Sequence, residues 1–120
     1  ELSGLNECNF GKFEGKNHSD LDGNEYYQKW IDSMGELPFP DGESMAEFKK
    51  RSVSEFRKIM FWLENENVNT VAFVVHGGTI MSILSELGDE GKSYYDYITD
   101  NGEGFVCKWE DGKCRNIMRL

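Results

Sequence analysis

His76 is the residue whose type and surroundings point most directly to chemistry. An apolar run, residues 70–75, leads into it, and Gly77, Gly78 and Thr79 follow it. A histidine between an apolar run and two glycines is a candidate functional residue. The alternative interpretation is a histidine that is hydrogen-bonded within the fold and has only a structural role.

The residues around His76 predict a strand followed by a helix. The run 70–75 is short and does not alternate, which is typical of a parallel-sheet strand buried on both faces. Gly88 is predicted to cap the following helix in the left-handed conformation. The apolar residues of that helix have helical spacing; they are Ile80, Ile83, Leu84 and Leu87.

This arrangement predicts an anion site at His76. In open α/β sheets, ligands bind at the carboxyl ends of the strands. The unpaired N–H groups and the positive end of a helix attract anions, phosphate above all. Gly77 and Gly78 would let the backbone turn sharply and approach the ligand closely, so Gly77 is a predicted phosphate-binding residue.

Two further segments precede the apolar run. Residues 1–23 have the glycine- and asparagine-rich composition of a loop, with Leu5, Phe10 and Phe13 as predicted anchors to a core. Residues 24–34 are predicted to form a helix that Gly35 ends. The inward stripe of this helix has helical spacing and consists of Tyr27, Trp30, Ile31 and Met34.

A longer helix is predicted from Ser44 to about residue 65. Ser44 and Glu47 have the spacing of a capping box, in which each side chain bonds the main chain of the other residue. The basic residues of this helix are predicted mostly to face water, while its apolar residues face the core. The basic residues are Lys49, Lys50, Arg51, Arg57 and Lys58. The apolar residues are Phe56, Ile59, Met60 and Leu63.

The C-terminal residues predict a β-hairpin. Residues 105–110 and 113–120 flank Asp111-Gly112, the dipeptide that a two-residue hairpin turn prefers. Residues 93–99 are compatible with a short helix or with an irregular segment. One parallel-type strand and a hairpin do not make a sheet, so we expect an incomplete α/β domain. The edge of residues 70–75 should then be covered by a partner chain, a swapped element or a rearrangement.

Composition narrows the classes of function. The 120 residues are predicted to make one domain or part of one; no apolar run has membrane length, and no signal-peptide pattern is visible in them. The net charge of −9 argues against nucleic acid or an anionic membrane as a partner, and an anionic substrate would need a few cations focused in one pocket. Cys8, Cys107 and Cys114 fit reduced thiols in a cytoplasmic protein rather than a metal site. A Cys107–Cys114 bridge across the hairpin is the alternative.

Three segments, in order, resemble the motifs of the histidine phosphatase superfamily, which has the phosphoglycerate-mutase-like fold. Residues 5–16 resemble its L-x-E-x-x-[FY]-G-x-x-[EQ]-G segment, residues 40–44 with Arg51 its P-x-G-E-S…R segment, and residues 74–80 its second catalytic-histidine motif. The resemblance covers essentially the whole chain but only the C-terminal portion of the family's domain. It implies a three-layer α/β/α sandwich that lacks the family's N-terminal strand and helix.

The resemblance also implies roles in phosphoryl transfer through a phosphohistidine. His76 matches the histidine that hydrogen-bonds the phosphoryl oxygens, and Glu7 matches the carboxyl group that protonates the leaving oxygen and then deprotonates water. The attacking histidine belongs to an R-H-G segment that this sequence lacks, and His18 is predicted to lie at the surface. A solvated loop carboxylate is the alternative for Glu7.

The chain is therefore predicted to be part of a phosphomonoester phosphatase of the α-ribazole-phosphatase-like or broad-specificity kind. The chain alone is predicted to be inactive. Its partner would be a small phosphorylated substrate, with no metal, cofactor, nucleic acid or membrane. A second copy or a companion chain would cover residues 70–75. The alternatives are a non-catalytic anion-binding or interaction module derived from the same fold, and a phosphoglycerate mutase.

Overall fold

The structure, a computed structural model, describes residues 2–120. The described chain divides into two compact units: Cys8–Lys50, and the residues on either side of it, 2–7 and 51–120. None of the helices in residues 2–120 is both long enough and apolar enough to cross a membrane.

The unit Cys8–Lys50 is mainly helical and has an aromatic core. A 3₁₀ turn, Gly11–Phe13, precedes the short helix α1 (His18–Leu21) and the helix α2 (Glu25–Asp32). The predicted anchor Phe13 is confirmed as buried, and Phe10 packs at the edge of the same cluster. The buried cluster consists of Cys8, Phe13, Leu21, Phe39 and Phe48.

Helix α2 ends earlier than the sequence predicts. Asn24 caps its first turn by accepting from the Tyr27 N–H, but Met34 lies beyond its end with φ +58° and is 92 % exposed. The prediction of Met34 as an inward residue is therefore wrong. The Met34 and Gly35 N–H groups bond the carbonyls of Ile31 and Trp30 in a Schellman arrangement, which turns the chain out of the helix.

Helix α3 (Met45–Asn65) begins at the predicted capping box. The Ser44 Oγ accepts from the Glu47 N–H at 3.1 Å, and the Glu47 carboxylate accepts from the Ser44 N–H at 2.9 Å. The two bonds satisfy main-chain donors that the first helical turn leaves unpaired, which explains why the helix starts here.

Removing the cap of α3 should cost a measurable part of its stability. We expect Ser44→Ala to lower the free energy of unfolding by about 1 kcal/mol, because the Glu47 N–H loses its partner. Urea unfolding followed by circular dichroism measures the change. Ser54→Ala is the matched control, since Ser54 is exposed in the middle of the same helix and should tolerate alanine. Equal effects of the two substitutions would contradict a capping role.

The second unit contains helix α4 (Gly77–Leu87), a 3₁₀ turn (Tyr94–Tyr97) and a two-stranded antiparallel sheet of β1 (Phe105–Glu110) and β2 (Lys113–Arg119). The predicted hairpin is confirmed, and positive φ angles at both turn residues, Asp111 (52°) and Gly112 (73°), match a type I′ turn. The buried core consists of Leu5, Val53, Phe56, Met60, Ile83, Leu84, Leu87, Tyr97 and Cys114.

Residues 70–75 do not form the strand that the sequence predicts. Phe73 and Val75 pack against the core, but Val74 is 99 % exposed and Val71 is 41 % exposed. Within residues 2–120, the backbone of residues 69–75 makes no hydrogen bond to another segment, and the only sheet is β1–β2. The prediction of a strand buried on both faces is wrong for this chain, because a parallel strand needs neighbours that its own sequence does not provide.

Gly88 has a different role from the predicted one. Its backbone is extended (φ −69°, ψ 147°) rather than left-handed, so the predicted left-handed cap is wrong. A Cβ at this position would lie 2.5 Å from the Leu84 carbonyl oxygen and 3.0 Å from both Ile117 Cδ1 and the Tyr97 hydroxyl oxygen. Glycine is needed here chiefly because a Cβ would clash with the Leu84 carbonyl of α4 itself, and β2, where Gly88 pairs with Cys114, leaves little further space.

Candidate functional site

His76 lies at the N-terminus of helix α4. It is the N-cap residue, its backbone is extended, and its carbonyl accepts the first helical bond from the Ile80 N–H at 3.1 Å. Its imidazole makes no capping bond and is exposed. The predicted position of His76 at the start of the helix is thus confirmed, and its side chain is accessible to a ligand.

A pocket of about 130 Å³ adjoins this helix end. It is bounded on one side by the start of α4 and on the other by the loop 99–103, and it is lined by Val75, His76, Gly77, Ile80, Thr99, Asp100, Asn101, Gly102 and Glu103. The first N–H groups of an α-helix have no partner within the helix, so those of α4 are available at its N-terminal end. The sequence did not indicate that the loop 99–103 contributes to this pocket.

Gly77 lines the pocket, but not for the predicted geometric reason. Gly77 and Gly78 are the first two helical residues, and neither has a left-handed backbone, so the expected sharp turn is not made there. A Cβ on Gly77 would lie 3.5 Å from the Thr99 Oγ1, which is an ordinary contact. The absence of a side chain therefore leaves open space at the pocket without being required by the backbone.

The charge of the pocket favours an anion only at the end of the helix. The positive end of the α4 dipole and the imidazole of His76 are attractive to an anion. Asp100 and Glu103 bring carboxylates to the opposite wall, and none of the described lining residues is lysine or arginine. A phosphate group bound here would therefore need cationic side chains from outside this set.

The segment that carries Glu7 is attached to the same helix end. The Thr79 Oγ1, in the first turn of α4, donates to the Leu5 carbonyl at 3.2 Å, and this bond is buried. Glu7 is half-buried and follows Leu5 by two residues, although it is not among the residues that line the pocket. The structure thus brings His76 and Gly77 together at the pocket and ties the backbone before Glu7 to the adjacent helical turn.

Arg51 holds the Glu7 segment from the other side. Its guanidinium donates to three main-chain carbonyl oxygens, at 2.7, 3.2 and 3.3 Å, which belong to Gly4, Asn6 and Glu7. The prediction that Arg51 faces water with the other basic residues of α3 is wrong, because its planar fork of donors can satisfy several carbonyls that a loop leaves unpaired. The only sequence signal was its place after the P-x-G-E-S segment.

Arg51→Met should therefore destabilise this unit. We expect the free energy of unfolding to fall by about 1.5–3 kcal/mol, because several charge-assisted hydrogen bonds are lost at once. Arg51→Lys should restore only part of the loss, since an ammonium group cannot span the three carbonyls. Urea unfolding of both variants measures this, with Arg57→Met as the control on the exposed face of α3. A loss no greater than that of the control would contradict the role of Arg51.

His18 lies at the surface, as predicted. It starts α1, is exposed, and its Nδ1 is hydrogen-bonded to the hydroxyl of Tyr27. This contact explains its position within the unit Cys8–Lys50.

Comparisons with known proteins indicate one family for this chain. The family model of the histidine phosphatase superfamily (branch 1) matches residues 1–118. The chain is 32 % identical over 87 residues to a candidate phosphoserine phosphatase of Hydrogenobacter thermophilus, a match that covers 67 % of this chain and 38 % of that protein.

A solved structure supports the same fold. The crystal structure of a candidate alpha-ribazole-5'-P phosphatase from Escherichia coli K-12 superposes with a TM-score of 0.75 at 21 % identity. The superposition covers 98 % of this chain and 56 % of the other. The chain therefore spans about half, or less, of the length of these two proteins.

Proposed function

The chain belongs to the histidine phosphatase superfamily, and we propose that it forms the part of a phosphomonoesterase that binds the phosphoryl group and protonates the leaving alcohol. The observation that carries this proposal is the exposed imidazole of His76 at the N-terminus of α4, beside a pocket and next to the tethered Glu7 segment. The activity of the whole protein is part of the proposal, because the chain spans only part of its relatives.

His76 and the start of α4 would stabilise the phosphoryl group. In phosphoryl transfer, charge spreads over the three equatorial oxygens, and fixed donors are the main contribution that a protein makes. The imidazole and the N–H groups of the first helical turn are such donors. Gly77 would let the phosphoryl oxygens approach these N–H groups closely.

Glu7 would act as the general acid and then as the general base. An alkoxide is a poor leaving group, so a carboxylic acid that gives it a proton lowers the barrier. The resulting carboxylate would then take a proton from water, whose oxygen attacks the phosphohistidine and releases inorganic phosphate. The Arg51 and Thr79 contacts support this assignment because they hold the backbone on which Glu7 lies.

The nucleophile would come from polypeptide outside these 120 residues. His18 is exposed and is engaged with Tyr27, which does not favour it as the attacking group. Among residues 2–120, the pocket lining has two carboxylates and no lysine or arginine, which favours an R-H-G segment elsewhere that supplies both the attacking imidazole and arginines. We therefore expect the 120-residue chain to lack turnover by itself.

The substrate would be a small phosphomonoester. The names of the two relatives, a phosphoserine phosphatase and an alpha-ribazole-5'-P phosphatase, support a phosphatase over a phosphoglycerate mutase. Free thiols at Cys8, Cys107 and Cys114 fit a reducing compartment such as the cytoplasm. The second candidate is a non-catalytic anion-binding or interaction module derived from the same fold. Its anion site would be His76 and the N-terminal end of α4, since the acidic wall of the pocket repels anions.

The decisive experiment compares the 120-residue chain with the full-length protein that this proposal implies. The full-length protein should hydrolyse p-nitrophenyl phosphate, and an alkaline quench should trap one phosphoryl group on a histidine outside this chain. The 120-residue chain should show neither reaction. Phosphate binding without hydrolysis by the full-length protein would favour the module, and transfer of the phosphoryl group between the hydroxyls of one substrate would favour the mutase.

We also propose that a further strand covers residues 70–75 and completes the three-layer sandwich, supplied by the same polypeptide, a companion chain or a second copy. The amides of this segment should exchange with solvent deuterium without protection in the 120-residue chain. They should become protected by about 100-fold or more in the full-length protein, because strand pairing blocks exchange. The β1 amides, already paired, are the internal control. Unprotected exchange in both proteins would reject a strand supplied by the same polypeptide.

A further inference from the structure

Arg119 and Leu120, at the end of β2, hold both ends of the loop 99–103, which forms one wall of the pocket. The Arg119 Nη2 donates to the carbonyl of Ile98, just before the loop, at 3.0 Å. The Leu120 N–H donates to the carbonyl of Gly104, just after the loop, at 3.0 Å. Two neighbouring residues therefore fix the points where the loop leaves and rejoins the rest of the fold.

The loop is also closed within itself by two hydrogen bonds between Asp100 and Glu103. The Glu103 N–H donates to the Asp100 carbonyl at 3.1 Å, and the Asp100 N–H donates to the Glu103 carboxylate at 3.2 Å. Gly102, at the third position of this turn, has a positive φ angle (83°), which favours glycine there. The Glu103 carboxylate is thus part of a defined turn.

The guanidinium of Arg119 connects this turn to the core. Its Nη1 lies 4.0 Å from the Glu103 carboxylate, and its Cζ lies 4.8 Å from the centroid of the Phe105 ring. The Phe105 ring packs edge-on against Tyr97, which is 1 % exposed. One planar cation therefore meets a carbonyl, a carboxylate and an aromatic face together, a combination that lysine reproduces poorly.

The loop that Arg119 holds lies close to the start of α4. Thr99, its first residue, has its Oγ1 3.5 Å from the place that a Cβ on Gly77 would occupy. A displacement of the loop would therefore change the width of the pocket. In the proposed function the phosphoryl group lies at the helix end, beside His76, so the opposite wall faces the alcohol part of the substrate.

We infer that Arg119 is a positioning residue, which fixes the loop 99–103 so that this wall binds the alcohol part of a phosphomonoester. Arg119 acts through the loop, because it is not among the described residues that line the pocket. The wall offers polar side chains, including Asp100 and Asn101, which suits an alcohol that carries hydrogen-bonding groups. This inference rests on the proposed function, because the position of the phosphoryl group decides which wall the alcohol faces.

The kinetic test compares Arg119→Met with the parent in the full-length protein that the proposed function implies. With glycerol 2-phosphate, KM should rise by about tenfold while kcat stays within about threefold, because a loose wall weakens binding of substrate and transition state alike. The inhibition constant of inorganic phosphate should stay within about twofold, since phosphate has no alcohol part to meet the loop. Arg119→Lys should have an intermediate KM.

The matched control is Arg115→Met, which removes the same charge from β2 near the hairpin turn, where Arg115 lies close to Glu110 and Asp111. It should leave all three constants unchanged. An unchanged KM in Arg119→Met, or equal weakening of substrate and inorganic phosphate, would overturn the role of Arg119. A parent protein that hydrolyses no phosphomonoester would reject the proposed function together with this role, so the two failures are distinguishable.

The 120-residue chain tests the hold on the loop separately from catalysis. In Arg119→Met, the amides of Asp100 and Glu103 should exchange with solvent deuterium at least about fivefold faster than in the parent chain, because the loop opens more easily. Amide exchange followed by NMR measures this, with the amides of residues 108–110 in β1 as the internal reference. Equal exchange in variant and parent would show that Arg119 does not hold the loop and would overturn the inference.

Discussion

Glu7→Gln in the full-length protein is expected to lower kcat for an alkyl phosphate by about 10²–10⁴-fold, the range that general acid–base catalysis contributes. Glutamine keeps the size of the side chain but has no proton to give to the leaving alkoxide. With p-nitrophenyl phosphate the loss in the transfer step should be much smaller, because p-nitrophenolate leaves without protonation. The measurement is kcat for both substrates, with single-turnover kinetics to isolate phosphoryl transfer from hydrolysis of the proposed phosphohistidine.

The control for this prediction is Glu86→Gln, which removes one negative charge from an exposed position on α4. With both substrates, kcat of this variant should stay within about twofold of that of the parent protein, since an exposed charge is screened by solvent. Equal losses with alkyl and aryl substrates in Glu7→Gln would mean that Glu7 has a role other than proton donation. An unchanged alkyl phosphatase rate would remove Glu7 from the mechanism.

His76→Ala is expected to act on both substrates alike. Removing one preorganised donor to a transferring group typically costs about 10²–10³-fold in kcat, and the stabilised charge is on the phosphoryl oxygens whatever the alcohol. The folded structure should survive, because the imidazole is exposed and makes no capping bond to α4. Steady-state kinetics with the two substrates, together with the unfolding midpoint, separates a catalytic from a structural effect.

The matched control is His18→Ala, the change at the other histidine of the sequence. It loses the contact with Tyr27 but should leave kcat unchanged. If His76→Ala retains full activity, His76 is a structural helix-terminal residue and the phosphoryl site lies elsewhere. If the loss appears only with alkyl phosphates, His76 rather than Glu7 is involved in protonating the leaving group.

Arg51 connects these two predictions to the fold. It bonds main-chain carbonyls of the Glu7 segment, so its replacement should affect the position of Glu7 more than that of His76. We therefore expect Arg51→Met, like Glu7→Gln, to lower kcat more for alkyl phosphates than for p-nitrophenyl phosphate. The losses in kcat should be smaller than those of Glu7→Gln.

The sequence alone determined the features that depend on near neighbours in the chain. The Ser44–Glu47 capping box, the Asp111-Gly112 turn and the position of His76 at the start of α4 each rest on hydrogen bonds or backbone angles within a few residues. His76 and Gly77 lie beside a pocket at the start of α4, and their roles in binding a ligand stay a prediction.

Only the tertiary structure decided the features that depend on distant partners. Residues 70–75 read as a buried strand, yet a strand exists only when another segment pairs with it, and residues 2–120 offer none. The sequence predicted a solvated charge at Arg51. In the structure its guanidinium bonds carbonyls of a segment about 45 positions away in the chain. The loop 99–103 and the Thr79–Leu5 bond likewise depend on contacts between remote segments, which local patterns of residue type do not specify.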